Sequence, residues 1–157
     1  PFAEVTIPGT SYDQLRDAYA FGGGEAVNRA YGETSGEPAG AWLVLPTDVW
    51  VDLIDQAGGT TVAVPEDANI FVGDRLYTIR EGRQDLSGEE VAALAVAASD
   101  AEWGAGEAAQ AAVADSVANA VVMSWDAVVD AVDRGEADSD ANVEELSVFG
   151  SSPAITE

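Results

Sequence analysis

The sequence predicts an α/β fold, with a central mixed sheet flanked by helices. Three observations carry that prediction. Residues from Ala41 to Pro65 read as strand, helix, glycine turn and strand. Residues 69–79 read as a hairpin, and three further helical stretches follow between Ser87 and Val132.

Pro1 to Pro8 suits an edge strand, with Val5 and Ile7 alternating against Glu4 and Thr6. Gly9-Thr10-Ser11 forms a turn, and Ser11 can cap a short helix from Tyr12 to Tyr19. Gly22-Gly23-Gly24 then breaks the chain. Three glycines ahead of a helix can cradle a phosphate, but the Gly-Lys-Ser/Thr signature is missing. The plainer reading is a tight turn that feeds a helix from Glu25 to Tyr31. A polar connection from Gly32 to Gly40 follows.

Trp42 to Leu45 is a short apolar run, suited to a strand covered on both faces. Pro46 ends it, and Thr47 is placed to cap a helix. Val49, Trp50, Leu53, Ile54 and Ala57 recur at helical spacing, which leaves Asp52, Asp55 and Gln56 for water and turns Leu53 toward the sheet. Gly58-Gly59 stops the helix, and Thr60 to Val64 is a β-branched strand. A right-handed crossover would make the two strands parallel.

Asn69 to Val72 and Leu76 to Ile79 flank Gly73-Asp74-Arg75, a hairpin signal. Arg75, Arg80 and Arg83 cluster here, either as an anion site or, more plainly, paired with Glu81, Asp74 and Asp85. Ser87 and Glu90 form a capping box for a helix to about Ala98. Helices from near Gly104 to Val122 and from Trp125 to Val132 follow. Asp138-x-Asp140-x-Asn142 mimics half a calcium loop but lacks the glycine at the sixth place, and Phe149 stands where the closing glutamate belongs. Leu146 to Phe149 reads as an edge strand.

Several pieces, in this order, resemble the LytR–CpsA–Psr family of envelope proteins. They are Ala18-Tyr19-Ala20-Phe21-Gly22-Gly23, Trp42 to Leu45, and Leu53-Ile54-Asp55-Gln56-Ala57-Gly58-Gly59 running into Thr60 to Pro65. Glu81 to Glu90, with Leu86-Ser87-Gly88, looks like the family's Gly-x-x-x-Leu-x-Gly segment. The agreement runs from about Ile7 to Val121. The resemblance implies a LytR–CpsA–Psr-like sandwich over residues 1–150, with a tail at 151–157, lacking the family's first strands. Those strands would come from a longer chain or from a second one.

Composition narrows the chemistry. The 157 residues suit one domain, and no run approaches the roughly 18 apolar residues of a membrane span. The chain opens at Pro1, as a mature or trimmed segment would, so an anchor or targeting segment would lie outside it. It has no Cys and no His, which removes disulfides, thiolate nucleophiles, Cys/His zinc sites and His-based triads. Aspartate and glutamate number 29 against 6 arginines and no lysine, a net charge of −23. Such a surface repels nucleic acid and anionic lipid headgroups. It reads as a solvated acidic coat adapted to high salt, with a surface for cations or basic partners as the other reading.

The resemblance implies transfer of a glycopolymer from polyprenyl pyrophosphate to the cell wall, which requires arginines and a magnesium ion around the pyrophosphate. The matching positions lack them. The family's Pro-Arg-Asp aligns with Pro1-Phe2-Ala3, its next arginine falls among Val96, Ala97 and Ala98, and its Asp…Arg-x-x-Arg-Gln segment keeps only Asp100 and Gln110. Asp100 is thus the candidate magnesium ligand and Gln110 a ligand-orienting amide. Tyr19, Phe21, Leu43, Leu45, Trp50, Leu53 and Ile54 are the candidate walls of a lipid pocket, with ordinary core as their plainer role. The expectation is a non-catalytic envelope module, extracellular or at the cell surface, that binds an isoprenoid or other lipid. The alternatives are an active phosphotransferase completed by a missing segment, and a structural interaction domain.

The charge generates a first test. Screening length grows from about 10 Å at 0.1 M salt to roughly 30 Å at 0.01 M, so self-repulsion rises as salt is diluted. The melting temperature is expected to climb clearly from low to molar salt. A flat response would sink the high-salt reading.

Overall fold

The computed structural model describes residues 15–37, 40–100 and 103–150. The expected strand Pro1–Pro8, the Ser11 cap, the start of the helix at Tyr12 and the tail 151–157 lie outside them. Helix α1 (Leu15–Ser35) leaves helical geometry at Gly22 and Gly23, so the glycine run breaks one long helix into two arms. Its second arm meets the rest of the molecule where Gly24 lies under the Trp42 ring.

Strand β1 (Leu43–Val44) is short and half-buried on both faces, stopped by Pro46 as expected. Helix α2 (Thr47–Gln56) begins at Thr47 itself, with no side-chain cap. Strands β2 (Thr60–Val64), β3 (Ala68–Val72), β4 (Arg75–Ile79) and β5 (Gly82–Leu86) follow. Helix α3 (Gly88–Ala98) carries the full capping box of Ser87 and Glu90. Then come α4 (Gly106–Met123), α5 (Trp125–Asp133), β6 (Asp138–Ser139) and α6 (Val143–Gly150).

The α/β class is the one the sequence predicts, but the pairing is not parallel. β2 pairs antiparallel with β5, β3 with β4, and β1 with β6. The strand Gly82–Leu86 has no apolar alternation to announce it. The hairpin nonetheless brings it back along β2, and closing that short loop costs less entropy than a helical crossover. Between Val64↔Gly82 and Ala68↔Ile79, residues 65–67 face only residues 80–81, so the two ladders continue one another across a one-residue bulge. Leu146–Phe149, expected as a strand, is helical. Asn142 and Glu145 form a reciprocal cap at the start of α6, with each side chain accepting from the other's backbone N–H at 3.0 and 2.9 Å.

The core gathers Leu53, Ile54, Val62, Val64, Ile70, Ile79, Leu86, Val91, Leu94 and Val128. α3 packs on α2, α4 and the strands β3, β4 and β5, while α4 packs on β2, α2 and α5. α4 approaches closely because its buried positions, Gly106, Ala109, Ser116 and Ala120, are small. Leu53 lies in this core, on a helix that packs chiefly on α3, α4 and α5. Among the described residues no single helix is long and apolar enough to cross a membrane.

The tightest joint lies between α2 and α3. Asp55, expected to face water, accepts the Gly88 backbone N–H through Oδ1 at 2.8 Å. A Cβ on Gly88 would stand 2.3 Å from the Val51 carbonyl oxygen. Gly88→Ala must push two backbones apart and is expected to cost about 1–3 kcal/mol, the usual range for overpacking. Gly104→Ala adds its methyl in open space, so a change within about 0.5 kcal/mol is expected there. Urea melts of the two variants at constant high salt check this; equal losses would mean that the close approach is not a real constraint.

Candidate functional site

An open groove of about 670 Å³ lies between β3 and the C-terminal end of α3. Ala68, Ile70 and Ala97 form its apolar floor, Phe71, Val96 and Trp103 stand around it, and Glu66, Asp67 and Asp100 mark its polar side. Asp100 is thus in the groove, as a wall residue of the α3–α4 turn. Its N–H donates to Ala97 O at 2.9 Å, and its carbonyl accepts from Trp103 N at 3.2 Å.

Gln110 stands in the first turns of α4 and is not part of the groove lining. Its Nε2 donates to Ala98 O at 2.7 Å, which satisfies one of the last carbonyls of α3. Magnesium demands several oxygen ligands in near-octahedral array. Among the described residues no group of three carboxylates converges at Asp100 to hold such an ion, and Gln110, expected to orient a ligand, gives its Nε2 to the Ala98 carbonyl.

The seven candidate pocket residues separate. Tyr19 and Phe21 sit on the first arm of α1, 52% and 56% exposed. Leu43, Leu45 and Trp50 are half-buried and pack against the main core, and Leu53 and Ile54 lie inside it. Neither that groove nor a smaller crevice beside α5 gathers them. Leu53 alone borders the smaller one, a crevice of about 170 Å³ beside Ala127, Ala131 and Arg134.

The hairpin arginines do not form an anion site, and their partners are not the expected ones. Arg75 pairs with Glu89 and lies 4.7 Å over the Tyr77 ring, while Arg80 pairs with Asp67 at 2.8 Å. Asp85 accepts from the Thr61 hydroxyl at 2.6 Å instead of holding Arg83. Arg29 and Arg134 pair with Glu25 and Glu136. The calcium-like triplet is structural too. Asp140 Oδ1 accepts from Trp42 N at 2.8 Å, Asp138 pairs with Val44 in the β1–β6 ladder, and Asn142 caps α6.

With this geometry in hand, solved structures supply a comparison. No family model matches the chain, and no curated protein matches its sequence. A transcriptional regulator from Enterococcus faecalis aligns with a TM-score of 0.70 and 24% identity, over 96% of this chain and 57% of its own. TagV of Bacillus subtilis gives 0.65 and 17%, over 94% and 62%. TagT bound to LI-WTA gives 0.67 and 18%, over 99% and 60%. The fold is LytR–CpsA–Psr-like. This chain spans about three fifths of the length of those structures. At such identities the likeness is one of fold. Within that fold, the groove residues Glu66, Phe71, Val96 and Trp103 escaped sequence reasoning. The signal available was the two-residue hairpin loop, which sets Phe71 opposite Leu76 on an outer face.

Asp67 holds the bulge together by accepting Glu81 N–H at 2.8 Å and the Arg80 guanidinium at 2.8 Å. The backbone N–H first, and then Arg80, hold its carboxyl below the ordinary carboxylate value. A lowered pKa contributes stability above the unfolded value, near 3.9, and that stability is lost as pH falls through the folded value. Asp67→Asn is expected to be less stable than the parent at pH 6, with the gap closing below about pH 4. Urea melts across that range at constant salt check it. A gap unchanged at low pH would assign the effect to shape instead of charge.

Proposed function

We propose that this chain is a non-catalytic module of the cell envelope, extracellular or at the cell surface, that takes an uncharged isoprenoid or another lipid. The envelope part is supported by the LytR–CpsA–Psr-like fold shared with TagV and TagT. The observation that carries the non-catalytic part is the state of the five arginines from Arg29 to Arg134, whose side chains are described. A pyrophosphate needs several cations aimed at its developing charge. Arg29, Arg75, Arg80 and Arg134 are each held by a carboxylate of this chain. Arg83, on the exposed side of β5, is a single charge away from the groove lining. Support for the lipid comes from apolar surface: Tyr19, Phe21 and Tyr31 on α1 are half or more exposed. Nucleic acid is not a partner in this reading, because a net charge of −23 opposes phosphate.

The test is incubation with a lipid-pyrophosphate donor and magnesium at high salt, with phosphate release and isoprenoid binding both followed. The expected outcome is no release together with saturable binding of the uncharged isoprenoid. Release abolished by Asp100→Ala would overturn the reading and restore a phosphotransferase. Neither release nor binding would leave a structural interaction domain.

A further inference from the structure

Among the described residues, the groove has an open strand edge along one side. Val72 and Arg75 close a two-residue loop, so the pairs Val72–Arg75, Ile70–Tyr77 and Ala68–Ile79 are the ones that exchange backbone bonds. The N–H and C=O groups of Asn69 and Phe71 then point away from β4. Among the described residues no strand lies on that side, because β3 pairs with β4 alone. Native edges are usually blunted by proline, lysine or a covering segment. Ala68-Asn69-Ile70-Phe71-Val72 contains neither residue.

The surroundings of the edge are apolar inside and acidic outside. Phe71 is 70% exposed, and Val96 of α3 is 52% exposed across the groove from it. Trp103 also lines it, Glu66 makes no ion pair among the described residues, and the chain as a whole carries −23. We propose that the groove takes an extended basic peptide. It adds to β3 as a strand, sets apolar side chains against Val96 and Trp103 on the α3 face and one against Phe71 on the outer face, and directs its cations toward Glu66 and the acidic surface. Alternating side chains make this possible, since a strand presents its residues to opposite faces. Charge chooses the occupant: a second copy of this chain would bring another −23 to the same edge, whereas a basic segment relieves the repulsion. The proposal does not rest on the lipid reading above.

The test uses a labelled peptide of alternating arginine and valine with one central phenylalanine. A second peptide has the same sequence but is N-methylated at alternate nitrogens, so its charge is kept and its ladder donors are lost. Binding is read by fluorescence anisotropy at the lowest salt at which the protein stays folded. The first peptide is expected to bind saturably, and the methylated one about tenfold more weakly or worse. Phe71→Ala, which removes an exposed side chain, should weaken the first peptide while the circular dichroism melt is retained. Asn69→Pro deletes one edge donor; if that variant unfolds, the methylated peptide still decides. Equal binding of the two peptides would reduce the effect to bulk charge and overturn the proposal. So would no binding, or sedimentation showing that the edge is closed by self-association.

Discussion

The hydrogen bond from Gly88 N–H to the Asp55 carboxylate is the contact on which the rest of the molecule depends. It joins two segments 33 residues apart in sequence and fixes where α3 starts. Bonds to charged groups are worth about 1.5–3 kcal/mol, and a carboxylate at a helix N-terminus also meets the positive end of the helix dipole. Ser87 and Glu90 serve two more of the donors at the same end. The geometry tolerates no side chain at Gly88, which sits against the Val51 carbonyl, nor at Gly59, whose φ is +93° and which faces the Leu86 carbonyl. With both ends of the glycine turn locked, β2 must run along β5 from Thr60↔Leu86 onward. α3 then becomes the platform for α2, α4 and three strands.

The same chemistry recurs wherever this acidic chain changes direction. Asp67 holds the bulge between the two ladders, and Asp140 and Ser139 clamp the backbone of Trp42. Asn142 and Glu145 cap α6, and Trp125 donates to the Leu146 carbonyl at 2.7 Å from below it. With no lysine or histidine and few arginines, carboxylates find backbone N–H groups as partners. The acid surplus is therefore not wholly a coat turned to solvent. Part of it forms the joints, and those joints lie at loops, where free N–H groups are found.

This explains what was legible in the sequence. Periodicity located α2, α3, α4 and α5, because each has an apolar or small-residue stripe, and Gly73-Asp74 located the hairpin. β5 was not legible: Gly-Arg-Gln-Asp-Leu lacks the β-branched pattern, and its pairing is imposed by the hairpin that precedes it. Leu146 to Phe149 misled because a short apolar run does not distinguish helix from strand, and the Asn142/Glu145 cap upstream decided it. The candidate site was legible only as to residue type. Asp100 does border the groove, yet the bond from Gln110 to Ala98 O and the dispersal of Tyr19, Phe21 and Leu53 are facts of tertiary packing that no local pattern carries.

Two of the segments that carry the LytR–CpsA–Psr resemblance contain the joint residues themselves: Ile54, Asp55, Gly58 and Gly59 in one, and Leu86 to Gly88 in the other. Their constraints are steric and local. A glycine with no room for Cβ, and a carboxylate on a helix end, are required by the way the backbone crosses itself, whatever the groove contains. Cations for a pyrophosphate are under no such constraint, because removing an arginine from a surface leaves the crossing intact. A fold can therefore keep its joint while its site changes. In this chain the groove wall carries Val96, Ala97 and Asp100, none of which the crossing of α2 and α3 requires.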